Sequence, residues 1–293
     1  MVPAATEIVT ALGAADSLVG VSHECVLAPG LAPRPRVTAS ALGMSEAPDE
    51  INAQVAAMSR EGTPLFTLLA AEIAALQPDV IITQGLCDVC AVSEQDVRAL
   101  ASRLATPPRV VSIAGSTLDD VFNDIRTIAS TLDLHADAER LIASLGARMK
   151  RVHEVLSAAR APRPRVAVLE WTDPPFAAGH WVPEMVYRAG GTDVLAVAGQ
   201  HSRQVSWDSL ADASPAIVLI APCGYRVDRA SREGRHLIDR DPWLEGRTVW
   251  ALDARDLVSQ PGPRLVDGIE TMAAIFNPDL FHSPAASSAV HLL

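Results

Sequence analysis

The feature that most constrains the fold is an alternation of helical and strand-like segments, interrupted once by a long amphipathic segment at residues 136–160. Apolar residues recur there at helical spacing, from Leu141 to Leu156, so we predict a single helix about 40 Å long. The alternation precedes this segment and restarts after the helix-breaking stretch APRPR, 161–165. The sequence therefore predicts an α/β protein whose two halves, each with a largely parallel sheet, are joined by one long helix.

The same periodicity places the individual elements. In the first half we predict helices at 4–12, 49–62, 68–77, 93–104 and 117–132, and strands at 17–22, 36–38, 79–83 and 109–113. In the second half we predict strands at 165–170, 194–197, 216–221 and 247–252, and helices at 184–189, 207–213, 229–239 and 263–276. The predicted domains are an N-terminal lobe at 1–135, the connecting helix at 136–160, a C-terminal lobe at 161–280 and a tail at 281–293.

Composition excludes several classes of protein. The 24 basic and 35 acidic side chains give a net charge of −11, which repels phosphate backbones and argues against a nucleic-acid partner. No stretch approaches the roughly 20 apolar residues that a membrane span requires. The first residues, MVPAATEIVTALG, do not have the pattern of a signal peptide, which favours a cytoplasmic location unless a leader was removed before residue 1.

Two segments repeat one layout, which indicates that the halves are similar. AAEIAALQPDVIITQG (70–85) and WDSLADASPAIVLIAPCG (207–224) each contain an acidic residue, a helical turn, a proline, an apolar strand and a glycine corner. Together with PAATEIVTALG (3–13), the long helix and the closing segment RTVWALDARDLVSQPGPRLVDGIETMAAIFNP (247–278), they resemble the helical-backbone, or class III, substrate-binding proteins.

The resemblance carries several expectations. Proteins of this class bind cobalamin, iron-siderophores or haem for ABC importers, and the cobalamin-binding members are the most similar. Such proteins consist of two Rossmann-like lobes bridged by a rigid helix, with the ligand in the cleft between them. Family members normally have a strand before the segment that matches residues 3–7, so we expect this sequence to begin late, without one strand and any leader.

The resemblance also implies a docking surface for a permease. Importer-bound members present one acidic residue from each lobe to arginines of the permease, and the matching positions here are Glu72 and Asp208. The alternative is that both are exposed acids near a helix N-terminus, where the helix dipole favours negative charge.

The four cysteines all follow the end of a predicted strand. Cys25 follows 17–22, Cys87 and Cys90 follow 79–83, and Cys223 follows 216–221. Because ligands of parallel sheets bind beyond the carboxyl ends of the strands, we expect the four thiols to meet in one cleft. Four thiolates suit zinc or an iron–sulfur cluster, and His23 is an alternative ligand to one of them. A Cys87–Cys90 disulfide, free thiols, and axial ligation of a corrinoid cobalt by a thiolate or imidazole remain open.

Further ligand-binding candidates follow strands of the second half. Trp171, Trp181 and Trp207 would stack on a planar macrocycle, or else would anchor packing. His180 precedes Trp181 and is a candidate to contact a ligand. Additional candidates are Gln84, which follows the strand at 79–83, and Tyr225 with Arg226, which would meet a carboxylate or amide or cap the next helix.

No motif of a nucleophile, a metalloprotease or a nucleotide-binding loop occurs, so we predict a binding protein and not an enzyme. The leading hypothesis is a substrate-binding protein that clamps a cobalamin-like corrinoid or another metal chelate in the cleft between its lobes, with an ABC permease as partner. The alternative is a cytoplasmic metalloprotein with a cysteine-ligated zinc or iron–sulfur site in the same cleft.

Overall fold

The computed structural model describes residues 1–43, 47–85 and 92–293. The chain forms two compact units: Met1–Gly115 with Asp119–Ile142, and Ser116–Leu118 with Ala143–Leu293. The helices are α1 Pro3–Ala11, α2 Pro48–Glu61, α3 Ala70–Leu76, α4 Glu94–Ala101, α5 Leu118–Thr131, α6 His135–Ala159, α7 Val182–Arg188, α8 Trp207–Asp212, α9 Val227–Arg240, α10 Ala254–Leu257 and α11 Leu265–Phe276. The strands are β1 Thr38–Ser40, β2 Phe66–Leu68, β3 Val80–Gln84, β4 Arg109–Ile113, β5 Arg165–Thr172, β6 Pro175–Ala177, β7 Thr192–Asp193, β8 Arg203–Gln204, β9 Ile217–Ile220, β10 Thr248–Leu252 and β11 Ala289–His291.

The first unit contains two small sheets. β1 pairs with β2 antiparallel, and β3 pairs with β4 parallel, in a register that sets Val80 opposite Arg109 and Gln84 opposite Ile113. The side chains of its main core cluster come from β2, β3, α3, α4 and the segments beside them: Val37, Leu65, Phe66, Ile73, Ile81, Val92, Val97 and Ala101. Burying such apolar side chains stabilises each by about 1.5 to 3 kcal/mol relative to exposure.

The second unit is built on one seven-stranded mixed sheet. Its strand order is β11-β10-β9-β5-β6-β8, and β7 pairs with β5. Within this sheet the parallel pairs are β10 with β9, β9 with β5, and β5 with β7. The antiparallel pairs are β5 with β6, β6 with β8, and β10 with β11. All four residues of β9, the sequence IVLI, are buried, as expected for a central strand covered on both faces. The predicted α/β class with parallel strands is confirmed.

Local sequence signals explain where several helices begin and end. The side chain of Ser93 caps α4 by accepting from Asp96 N, and Ser206 caps α8 through Ser209 N. α2 ends at Gly62, whose φ of 67° is the left-handed conformation that glycine adopts without strain. The long segment forms α6, within one residue of its predicted bounds.

Several predicted strands are wrong. Residues 17–22 form no strand, and only Val21 makes an isolated bridge, to Arg36. The strand predicted at 194–197 lies instead at Thr192–Asp193, because the Asp193 carboxylate accepts the N–H groups of Leu195 and Ala196 and turns the chain. The last residues, predicted as a tail, include β11, which adds to the sheet beside β10.

Candidate ligand-binding site

Three neighbouring parallel strands of the second unit end at the same edge of the sheet. They are β5, β9 and β10, and the residues that follow them include Cys223 and Asp253. Cys223 N donates to Glu170 O at 2.9 Å, which holds the loop after β9 against the end of β5. Ligands of α/β sheets bind beyond such carboxyl ends, so this edge is the candidate site in the second unit.

An aromatic pair stands at this edge. The rings of Trp171 and Tyr225 meet edge to face with centroids 5.5 Å apart, and the Arg229 guanidinium lies 3.7 Å from the Tyr225 centroid. Tyr225 is only 4% exposed and belongs to a core cluster with Ala230 and Ala251. Trp171 is half-buried and donates its indole N–H to Asp173 O at 3.2 Å. Trp171 is therefore a partly exposed ring held in a fixed position, where a flat ligand can contact it.

Beside the aromatic pair, three arginines surround one aspartate. Asp256 lies 3.0 Å from Arg255, 3.1 Å from Arg264 and 4.0 Å from Arg226, and we call these four residues the arginine cluster. Arg255 N also donates to Tyr225 O at 3.0 Å, which attaches the cluster to the aromatic pair.

The carboxylate at the centre of the arginine cluster is ionised. Burial acts to raise the pKa of Asp256, but the hydrogen bond from Arg255 and the charges of Arg264 and Arg255 hold it below its usual range, so the residue is ionised. Three guanidinium groups face this carboxylate. Arg264 also lies 3.9 Å from Asp267, and Asp253 interacts with the charges of Arg226 and Arg255. Guanidinium groups bind carboxylates and phosphates in bidentate geometry, so the cluster suits an anionic group of a ligand.

The structure places two predicted tryptophans mainly in packing. Trp181 is 5% exposed and donates its indole N–H to Val258 O at 2.8 Å. Trp207 begins α8, packs partly buried against the core of the second unit, and lies with its ring centroid 6.4 Å from that of Trp243. Both observations favour the packing alternative for Trp181 and Trp207.

His180 lies on the turn before α7, half-buried, with a left-handed φ of 54°. Its Nε2 is 3.2 Å from Nδ1 of His201. Burial, together with the neighbouring charge of His201, lowers the pKa of His180 and keeps the ring neutral near pH 7.

The predicted thiol site is only partly within the described residues. Cys25 is 1% exposed, and its Sγ lies 3.1 Å from the hydroxyl groups of Thr6 and Ser22. Cys223 is exposed and belongs to the second unit, whereas Cys87 and Cys90 lie outside the described residues. Over residues 1–43, 47–85 and 92–293, no group of three or more His, Cys, Asp or Glu side chains is placed to hold a metal ion. The zinc or iron–sulfur hypothesis stays a prediction.

The first unit also contains His23, a candidate metal ligand, and Gln84, a candidate ligand-binding residue. His23 Nδ1 lies 2.8 Å from Thr38 Oγ1, and the ring stands 5.3 Å from that of Phe66 beside a cavity of about 10 Å³, room for a single water. Burial and the charge of Arg36 lower the pKa of His23. Gln84 is the last residue of β3 and is half-buried.

The predicted docking acids hold matching positions. Glu72 is the exposed third residue of α3, and Asp208 is the exposed second residue of α8. Each helix is followed by a proline-containing turn and a parallel strand, as the repeated layout predicts.

Comparison with known proteins decides the family. The family model described as periplasmic binding protein matches residues 2–245. This chain belongs to that family. A periplasmic haem-binding protein from Pseudomonas aeruginosa has a similar structure, with a TM-score of 0.69 and 21% identity over 99% of this chain and 95% of that one. The haem-binding protein RhuT from Roseiflexus sp. RS-1 has a TM-score of 0.67 and 22% identity over 94% and 96%.

A cobalamin protein also shares the fold. The periplasmic vitamin B12-binding protein BtuF of Vibrio cholerae has a TM-score of 0.61 and 19% identity, with 95% of each chain covered. No curated protein sequence matches this chain. At these identities the solved structures establish the fold alone, and they confirm the resemblance to class III binding proteins.

Membership has functional consequences. Proteins of this family carry small molecules to ABC permeases outside the cytoplasm and are transport components, so the chain is a binding protein and not an enzyme. Within the part of the chain that the structure describes, no helix has the length and apolar character needed to cross a membrane.

Proposed function

We propose that this protein binds a metal-bound tetrapyrrole, haem or a corrinoid such as cobalamin, at the carboxyl edge of the sheet in its second unit. The observation that carries the proposal is the arginine cluster beside the partly exposed Trp171, joined through Tyr225. The known proteins of similar fold, which bind haem and vitamin B12, support the same ligand class.

The chemistry of the two parts is complementary to such a ligand. A tetrapyrrole offers a broad apolar face. Covering the accessible part of Trp171 stabilises the complex by about 25 cal/mol per Å² of apolar area removed from water. Its edge carries acidic or polar groups: carboxylates in haem, and amides and a phosphate in cobalamin. The arginine cluster supplies hydrogen-bond donors for either edge.

Absorption spectroscopy with tryptophan fluorescence tests the proposal. Purified protein is titrated separately with hemin and with cyanocobalamin. We expect one of the two to bind at one molecule per chain, with a shifted visible spectrum and quenched tryptophan emission. Trp171→Leu should weaken binding, whereas Trp250→Leu, at a tryptophan that pairs with His291 on β11, should not. The absence of stoichiometric binding by either chelate would refute the proposal.

The protein would deliver this ligand to an ABC permease through Glu72 and Asp208. Their exposure and their matching places in α3 and α8 support this role. In cells that express the transporter, Glu72→Gln with Asp208→Asn should lower ligand uptake and leave the affinity of the purified protein unchanged. Asp212→Asn, at an exposed acid of the same α8, is the matched control. Normal uptake by the double variant would rule out this docking surface.

Delivery to a permease requires a location outside the cytoplasm. The family, whose members act outside the cytoplasm, supports an extracytoplasmic site of action. Fractionation of the source cells tests this, and a purely cytosolic protein would contradict it.

A further inference from the structure

A pair of histidines in the second unit is held in place by its backbone. His180 Nε2 and His201 Nδ1 are 3.2 Å apart, with their rings nearly perpendicular at 89°. His180 N donates to Gln200 O at 2.6 Å, and Gly199 N donates to His180 O at 2.9 Å. The two segments that carry the histidines are therefore held together by main-chain hydrogen bonds to both the N–H and the C=O of His180.

Gly179 makes this approach possible. Its N–H donates to Ser202 Oγ at 3.1 Å, and a Cβ at this position would stand 2.4 Å from Ser202 N and 2.5 Å from Gln200 O. The next residue, His180, has a φ of 54°, which is a strained conformation for a residue other than glycine. Strain of this kind is retained where a side chain must be held in one place, and it points to a function for the His180 imidazole.

We propose that His180 and His201 form a binding site for a divalent first-row transition-metal ion, with water completing the coordination. Two imidazole nitrogens bound at about 2.0 to 2.1 Å lie about 2.9 Å apart at the 90° angle of tetragonal geometry and about 3.3 Å apart at the tetrahedral angle, and the observed separation of 3.2 Å lies between these values. A pair that is already positioned loses little conformational freedom on binding, which strengthens the site.

The protonation states fit this role. In the free protein one neutral ring donates the shared hydrogen to the other. When the metal ion binds, the ring that donated this hydrogen carries its proton on its other nitrogen, the one that faces away from the partner histidine. The two facing nitrogens then both present lone pairs to the metal, and no proton is released to solvent.

The ligand set indicates which ions bind. Among the described residues no third His, Cys, Asp or Glu side chain joins the pair as a ligand, so the site differs from the four-ligand structural sites of zinc. Imidazole and water ligands suit Ni²⁺ and Cu²⁺, which stand high in the order of divalent affinities. This inference does not depend on the proposed tetrapyrrole function, and its test uses the metal alone.

Calorimetric titration of the tag-free protein with Ni²⁺ at pH 7.5 tests the site. We expect a one-to-one event that His201→Ala and His180→Asn each weaken by about tenfold or more, since even loss of an outer-sphere partner typically costs 10 to 100-fold. His201 is exposed, and asparagine tolerates the left-handed backbone at position 180, so both variants should fold.

His282→Ala, at an exposed histidine elsewhere in the second unit, is the matched control and should bind Ni²⁺ as the wild type does. Paramagnetic Ni²⁺ should also broaden the amide signals of residues 179–181 and 199–202 selectively. Unchanged affinity in His201→Ala, or an equal loss in His282→Ala, would overturn the proposal.

Discussion

The Arg264 guanidinium lies 3.1 Å from the Asp256 carboxylate, and this ion pair joins α10 to the residue that precedes α11. Arg255 holds the other oxygen of the same carboxylate at 3.0 Å. Asp256 thus keeps the arginines of the proposed ligand site in place, and its ionisation is part of the site's stability.

Asp256→Asn should destabilise the protein by about 1 to 3 kcal/mol at pH 7, because it leaves charged partners without their acceptor. The pKa of Asp256 is held low in the folded state, so its contribution is present above the unfolded pKa and is lost as the pH falls through the folded value. Urea unfolding at pH 7 and pH 3 measures both effects. Asp239→Asn, at an exposed acid of α9, is the control, and equal losses in both variants would contradict the expectation.

Asp193 should make stability depend on pH in the opposite direction. Burial raises the pKa of its carboxyl to about 6, although two backbone N–H groups act to lower it. Stability is therefore greatest below the unfolded pKa near 3.9 and falls as the pH rises through 6. In Asp193→Asn the unfolding free energy should change less between pH 4.5 and pH 7.5. A pH profile identical to that of the wild type would show that Asp193 is ionised throughout this range.

Gly179→Ala and Gly146→Ala should have effects of opposite sign. A Cβ at Gly179 meets backbone atoms at 2.4 and 2.5 Å, and relieving such overlap costs about 1 to 3 kcal/mol or more. At Gly146, inside α6, a Cβ meets nothing within 4 Å, so alanine should stabilise the helix by about 0.5 to 1 kcal/mol. Thermal unfolding of the two variants compares them directly, and a stable Gly179→Ala protein would argue against the close backbone contact.

Arg148 should stabilise the packing of α6 on α11. Its guanidinium contacts Glu270 through two hydrogen bonds, at 3.0 and 2.5 Å, and also contacts Asp267 at 2.5 Å. Arg148→Met should lower the unfolding free energy by about 1 to 3 kcal/mol, because bonds to charged groups are lost and two acids are left together. Arg151→Met, at an exposed arginine of the same helix, should change it by less than about 0.5 kcal/mol. Equal effects would show that the Arg148 contacts do not stabilise the protein.

Long elements with clear periodicity were predictable from the sequence. β4 has the bounds expected for it, and α6 differs by one residue at each end, because hydrophobic spacing alone determines such elements. β6, β8 and β11 were not predictable. They have two or three residues each, and they exist because they pair with a neighbouring strand.

The residues of the candidate sites were also only partly predictable from the sequence. Trp171, Tyr225 and Arg226 could be predicted, because each follows a recognisable strand of a parallel sheet. Arg255 and Asp256 were missed, although their position after the strand at 247–252 was a usable signal. His201 was also missed, since its contact with His180 crosses 21 residues and depends on the turn that Gly179 allows.

The most direct test of the ligand site compares the affinity for hemin or cyanocobalamin, whichever the wild type binds, between two variants. Arg226→Gln with Arg264→Gln removes two exposed guanidinium groups of the arginine cluster, and Arg235→Gln removes an exposed charge of α9. Fluorescence titration should show a loss of about tenfold or more in the double variant, since bonds to charged groups contribute about 1.5 to 3 kcal/mol, and little change in Arg235→Gln. Undiminished affinity in the double variant would contradict ligand binding at this edge of the sheet.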